Sequence, residues 1–183
     1  MIKNFIFILF VLFFSACSVK FDSFSWKSPN DEMKNEINHI IKLMKDNDLE
    51  SLNKKYINKD FGFYQVRYSR EKSLIIEKSD FLDEVDRFIK PFEIQSKEVE
   101  FNCSYDLDLN YGWNEEGVFV LRKDIEYLKE YEVNSKEEQK FIKHIINNSY
   151  EVVTLSQMIF YITKYEDKIY IILIDNIRTD CRF

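Results

Sequence analysis

The chain has 183 residues, with 26 Lys and Arg against 32 Asp and Glu, for a formal net charge of −6. An acidic balance argues against nucleic acid as a partner, because phosphate binding needs a concentrated basic patch, and against a polybasic domain riding on anionic lipid. The length suits a single domain with a substantial core, and 3 Gly and 2 Pro leave little material for linkers.

Met1 to Cys17 reads Met-Ile-Lys-Asn-Phe-Ile-Phe-Ile-Leu-Phe-Val-Leu-Phe-Phe-Ser-Ala-Cys. Lys3 gives a basic start, and Phe5–Phe14 is an apolar run of about ten residues, the size of a signal-peptide core. A membrane-spanning helix needs about twice that length, and Ser18, Lys20 and Asp22 prevent any extension. Phe14-Ser15-Ala16-Cys17 resembles the lipobox of bacterial lipoproteins: an apolar residue, two small ones, and the cysteine that is lipidated. Phe14 stands where the family prefers Leu. The resemblance implies removal of residues 1–16, lipid on Cys17, a tether over residues 17–27 and one domain over 28–183. It implies a cell-envelope protein held to the membrane through Cys17 with its domain in the periplasm. Ser18 in place of the Asp that favours inner-membrane retention points to the outer membrane. Two or three acyl chains make a durable anchor where one binds only marginally. The alternatives are an ordinary cleaved signal with Cys17 incidental, or an uncleaved apolar N-terminus.

With Cys17 spent on lipid, Cys103 and Cys181 remain, an even pair in an exported chain and therefore a candidate disulfide. Closing so long a loop would restrict the unfolded chain by roughly 4 kcal/mol and pin the C-terminus; the alternative is two buried thiols.

In chain order, Ser28-Pro29-Asn30-Asp31 reads as a helix start, with Ser28 as cap and Pro29 at the first helical position. Met33, Ile37, Ile40, Ile41 and Met44 then repeat at helical spacing. After Asp46-Asn47-Asp48 a shorter helix carries Leu49, Leu52 and Tyr56. Phe61–Tyr68 reads as a strand and Ser73–Ile76 as another. Ser79-Asp80 predicts the cap of a third helix, with Phe81, Leu82, Val85, Phe88 and Ile89 apolar and Pro91 ending it. Val99–Cys103 and Tyr105–Tyr111 alternate with period two, and Asn114–Gly117 is a turn before Val118–Leu121. Lys123–Asn148 reads as helical, with a capping box at Ser135 and Glu138. Two strands close the chain, Val152–Lys164 and Lys168–Ile177, joined at Glu166-Asp167.

Segregated helices and strands predict an α+β fold. The pattern Ile37–Met44, Asp48–Leu52 and the hairpin Ile159–Asp175 resembles the nuclear-transport-factor-two-like, or cystatin-like, fold. That resemblance implies N-terminal helices packed on a bent, cone-like antiparallel sheet; Lys123–Asn148 departs from the family as a helical insertion before the C-terminal hairpin, and the alternative is a different α+β fold. The fold hosts enzymes and binding modules alike, so it names no function.

No constellation compels a reaction. Asp106-x-Asp108-x-Asn110 has the spacing of a calcium loop, but Tyr111 stands where glycine belongs and Gly117 where the bidentate Glu belongs. Its alternating leucines suit a strand. His39 and His144 lie in helices without the His/Cys cluster a zinc site needs, so no metal and no cofactor is expected. Phosphate loops and nucleophile elbows are missing. Asp175, in phase with Ile169, Ile171 and Leu173 at the end of an apolar strand, is the one acid placed to enter a concave face, where Tyr161 and Tyr170 could line a pocket. The bland reading is a strand-end Asp bonded to a turn, with tyrosines paired across strands. Glu100–Ser104 fits an extended acidic sequon around Asn102, usable only before folding. The sequence therefore reads as a lipid-anchored binding or assembly module, with an envelope protein as partner. The alternative is a small-ligand or hydrolytic enzyme with its pocket near Asp175.

Overall fold

A computed structural model describes residues 28–87, 89–90, 92–104, 111–133, 135–154 and 158–182. Cys17, the leader, the tether and the Asp106–Asn110 stretch lie outside the described residues.

The first helix, α1, covers Asp31–Asp46. Its cap is Asn30 and not Ser28: the Asn30 carboxamide accepts from the Met33 N–H at 2.9 Å, so Pro29 precedes the cap. Asp31 and Glu32 complement the positive end of the helix. It stops at Asn47, whose φ of 55° is the left-handed turn that Asn tolerates. Asp48 caps α2, Leu49–Tyr56, through the Ser51 N–H. Gly62 then turns the chain into the sheet. With φ at +62°, its missing Cβ would lie 2.3 Å from the Ser79 carbonyl, so only glycine fits.

Among the described residues nine strands follow: β1 Phe63–Tyr68, β2 Leu74–Ser79, β3 Ile94–Gln95, β4 Phe101–Asn102, β5 Gly112–Trp113, β6 Val118–Arg122, β7 Ser149–Val153, β8 Ile159–Tyr165 and β9 Lys168–Asp175. Seven form one sheet in the order β2-β1-β9-β8-β7-β6-β3, and β4 pairs with β5 apart from it. The α+β class holds, but the sheet is mixed: β1 runs parallel to β9 and β3 parallel to β6, while the other four pairings are antiparallel. β9 thus lies between β1 and β8, so the closing hairpin is central.

Both faces are covered. On one, Ile37, Ile40 and Met44 of α1 and Leu52 of α2 meet Val120, Val152, Phe160, Ile162, Ile171 and Ile174. On the other, Phe141, Ile142 and Ile145 of α3, Lys136–Asn147, meet Tyr64, Val66, Tyr161, Ile172 and Leu173. Apolar burial on this scale, at roughly 25 cal/mol per Å², is the main favourable term for the fold.

Three expected elements change. The described residues of Phe81–Ile89 are not helical: Asn53 clasps the Leu82 backbone, accepting its N–H and donating to its carbonyl, both at 2.7 Å. Those groups are therefore lost to any helical ladder, and Phe81 stays 55% exposed while Leu82 and Val85 enter the core. Among the described residues of Lys123–Asn148, a short 3-10 turn, Glu126–Leu128, is the helical element that precedes α3. The single strand expected over Val152–Lys164 is two, β7 and β8, so three antiparallel strands close the chain. Ser135 does cap α3, but Glu138 does not reach back to it; its carboxylate holds Tyr64 and Lys78.

Candidate functional site

Two buried acids, Glu151 and Asp175, lie on the second face where β7, β8 and β9 meet the C-terminal tail, while buried Ser149 and Thr163 pair at the other end of β7 and β8 and Asn58 precedes β1. Glu151 on β7 stands directly opposite Tyr161 on β8. It is 6% exposed. Tyr161 donates to its Oε1 at 2.6 Å, Lys123 to the same atom at 2.9 Å, and Arg178 to Oε2 at 2.6 Å. Burial pushes the Glu151 pKa up, but the two cations and the phenol outweigh it and hold the carboxyl below its ordinary value. Glu151 is therefore a carboxylate, and its lone pairs are spent on its own neighbours.

Arg178 extends the cluster. Its guanidinium also donates to the Val99 carbonyl and lies 5.4 Å from the Trp113 ring centre, a cation–π contact. Three residues on, a disulfide joins Cys181 to Cys103, with the Cα atoms 5.3 Å apart across a separation of 78 residues. Arg178 and Cys181 together tie the tail to the segment that carries β4 and β5.

Asp175 ends β9 on the same face. Its Oδ1 accepts the Ile177 N–H at 2.8 Å and the Arg178 N–H at 3.3 Å, and its Oδ2 accepts from Tyr127 at 3.3 Å. Burial raises its pKa, helped by the Glu151 charge and opposed by the two backbone donors and Tyr127. Burial and neighbouring carboxylates likewise hold Tyr127 and Tyr161 as neutral phenols. Asp175 is 1% exposed and folds the chain from the sheet into the tail.

The phase of β9 differs from the expected one. Tyr161 faces Leu173 but Ile162 faces Ile171, so Ile172 is an extra residue, a bulge. Ile169 and Ile171 point to α1, whereas Leu173 and Asp175 point to the opposite face. Tyr161 and Asp175 are thus brought into one cluster, each feeling the other's neighbourhood electrostatically. Tyr170 is placed elsewhere. It pairs with Thr163 towards the far end of the hairpin and lines a surface cavity of about 570 Å³ with Glu36, Lys55, Tyr56, Asp60 and Glu166.

That cavity borders a second polar group. The Tyr56 hydroxyl donates to Glu36 and sits 2.6 Å from Nδ1 of His39, and Lys55 donates to Glu36 at 2.8 Å. Burial, with the Glu36 charge, pushes the Tyr56 phenol up to about 12. His144 meets the Lys164 carbonyl through Nε2 at 2.9 Å. A third feature is an open groove of about 880 Å³ between the 82–87 coil, the α1–α2 corner and the tail, with Gln65, Arg87, Tyr111, Asn176 and the Asp180–Arg182 ion pair on its walls. Asp175 and Tyr161 line neither cavity.

Among the described residues no group of three or more His, Cys, Asp or Glu is placed to hold a metal ion, and no helix is long and apolar enough to cross a membrane. Asn102 lies half-buried on β4, one residue from the disulfide.

No family model, curated protein or solved structure matches this chain.

Glu151, Arg178, Lys123 and Tyr127 escape a reading by motif. One signal was present: Glu151 is a single acid inside Ser-Tyr-Glu-Val-Val, and a charge in an apolar strand demands a partner. A strand drawn from Val152 starts one residue too late to show it.

Proposed function

We propose that the protein is a lipid-anchored component of a bacterial cell envelope, held through Cys17, whose 28–183 domain works as a binding or assembly module. The observation that carries the anchor is the succession of Lys3, the apolar run Phe5–Phe14 and Ser15-Ala16-Cys17. The outer membrane, with the domain facing the periplasm, is the address that Ser18 favours. The Cys103–Cys181 bond supports an oxidising compartment. The packing of a long α1 across the sheet supports the cystatin-like reading.

Binding is favoured over chemistry because Glu151, Tyr161 and Asp175 direct their polar atoms at protein donors and acceptors inside the fold. A general base must aim a lone pair at a substrate proton. The reading of a hydrolytic or small-ligand site near Asp175 draws on one observation, the buried carboxyl with a raised pKa beside two phenols. The turn that uses this carboxyl explains the same arrangement.

The anchor is tested by Cys17→Ser, followed by membrane fractionation and metabolic labelling with a fatty acid. Loss of label, loss of signal removal and release from the membrane fraction are expected. Unchanged processing and retention would overturn the anchor.

A further inference from the structure

The two edges of the seven-stranded sheet are unlike. β3 is two residues long, whereas β2 runs over six residues, Leu74–Ser79, and among the described residues pairs only with β1. A long open edge presents a row of unpaired backbone groups and is ordinarily shortened, bulged or covered.

The register shows which groups face out. Ser69 N–H bonds to the Ser73 carbonyl, and the pairing runs from Tyr68 with Leu74 to Phe63 with Ser79. Antiparallel ladders alternate bonded and non-bonded pairs, so Ser73, Ile75, Glu77 and Ser79 bond to β1. Leu74, Ile76 and Lys78 send their N–H and C=O groups outward. Their side chains share the α3 side of the sheet: Ile76 packs on that core, and Lys78 reaches Glu138. Leu74 is 44% exposed. Beside it lies a groove of about 630 Å³ lined by Leu74, Ile76, Tyr127, Tyr131, Glu130 and Glu132.

We propose that β2 pairs antiparallel with β2 of a second copy about a two-fold axis at Ile76. The set Leu74, Ile76 and Lys78 is symmetric about its middle member, so this register bonds Leu74 to Lys78, Ile76 to Ile76 and Lys78 to Leu74. Every outward group on both strands is then satisfied, and a shift by two residues in either direction leaves groups unpaired. The charges agree. The second copy's Lys78, which also bonds its own Glu138 at 2.7 Å, arrives opposite Leu74 beside the groove where Lys129 pairs with Glu126 and where Glu130 and Glu132 add acid, and the two-fold repeats the match. Glu77 is already neutralised by Arg67 at 2.8 Å, so the other face does not repel the approach. A second copy brings the strand, the apolar residues and the lysine together. The pairing stands on the domain alone, whatever the fate of Cys17.

In this register Ile75 of one copy faces Glu77 of the other as a non-bonded pair, whose Cβ atoms lie about 4.5–5.5 Å apart. The experiment uses the full chain in host membranes, carrying Ile75→Cys, Glu77→Cys or both, under mild oxidation and read on non-reducing gels. The double variant is expected to shift to a band of twice the monomer mass, with neither single variant doing so. Cross-linking by either single variant would show a slipped register, a band of any other mass would show a different partner, and no cross-link would show an unpaired edge; each result overturns the proposal. Ile76→Pro in the double-cysteine background removes an outward N–H without touching the ladder to β1. It is expected to abolish the cross-link with the circular dichroism retained, and persistence of the dimer band would overturn the pairing. Should that variant fail to fold, the cysteine series decides alone.

Discussion

Replacing Arg178 with Met isolates the ion pair that ties the C-terminal tail to the sheet. The variant keeps most of the apolar stem while removing the charge-assisted bond to Glu151 at 2.6 Å, the bond to the Val99 carbonyl and the contact with Trp113. Glu151, 6% exposed in the wild type, would be left with Lys123 at 2.9 Å as its one cation. Removing one partner of a buried pair costs about 3–5 kcal/mol, because the other charge stays buried without compensation. Lys123 compensates in part, which sets the expectation at the low end, about 3 kcal/mol. For a domain of this size that corresponds to a fall in Tm of about 9 °C.

Urea denaturation of wild type, Arg178→Met, Glu151→Gln and the double variant closes a thermodynamic cycle. Glu151→Gln in the Arg178→Met background should recover much of the loss, since it removes the stranded charge. The pH profile gives a second reading with a definite sign. Glu151 has a lowered folded pKa, so its contribution is complete above the ordinary carboxyl value of about 4.3 and is lost as pH falls through the folded value. The gap between wild type and Arg178→Met should therefore narrow below about pH 4. A cost under about 1 kcal/mol, or a gap that widens in acid, would refute the placement of Arg178 on an ionised Glu151.

Three further substitutions test other parts of the account. Asp175→Asn keeps an oxygen for the Ile177 and Arg178 N–H groups. Because the folded pKa of Asp175 is raised, wild type loses stability as pH rises from about 3.9 through that folded value. The variant should match or exceed wild type by up to about 1 kcal/mol at pH 7 and lose that advantage in acid; a large loss by thermal melting would count against the turn. Cys181→Ser should cost about 4 kcal/mol on the loop-entropy argument for a separation of 78 residues, and reductant should bring wild type to the same urea midpoint. Gly62→Ala, with its new Cβ 2.3 Å from a backbone carbonyl and φ at +62°, should cost about 2 kcal/mol or more in thermal unfolding.

The parts of this fold written in local chemistry were legible. The stripe Met33 to Met44, the shorter helix after Asp46-Asn47-Asp48 and the cap at Ser135 depend on residues a few positions apart, and they survive into α1, α2 and α3. The turn at Glu166-Asp167, where both residues take positive φ, does join β8 to β9. What failed depended on distant partners. Phe81–Ile89 has a sound helical stripe, but Asn53 takes the Leu82 backbone from 29 residues away. The parallel pairings of β1 with β9 and β3 with β6 have no local signature, because nothing in either strand names its neighbour.

The candidate site turned on the same distinction. Counting by twos from Ile169 puts Ile171, Leu173 and Asp175 on one face, and a bulge at Ile172 breaks that count. In a sheet with one wet face, the extra residue would show as a break in polar alternation. Here both faces are covered, Ile171, Ile172, Leu173 and Ile174 are all buried, and an apolar run carries no phase. The residues that keep phase are the buried polar ones. Glu151 must share a face with Tyr161 and Arg178 to be satisfied, and Asp175 must share it with Tyr127. In a doubly covered sheet, a lone acid on an apolar strand is thus the most informative residue about register, since only one phase supplies its donors. Arg178→Met and Glu151→Gln therefore test the register of β7, β8 and β9 as well as the strength of an ion pair.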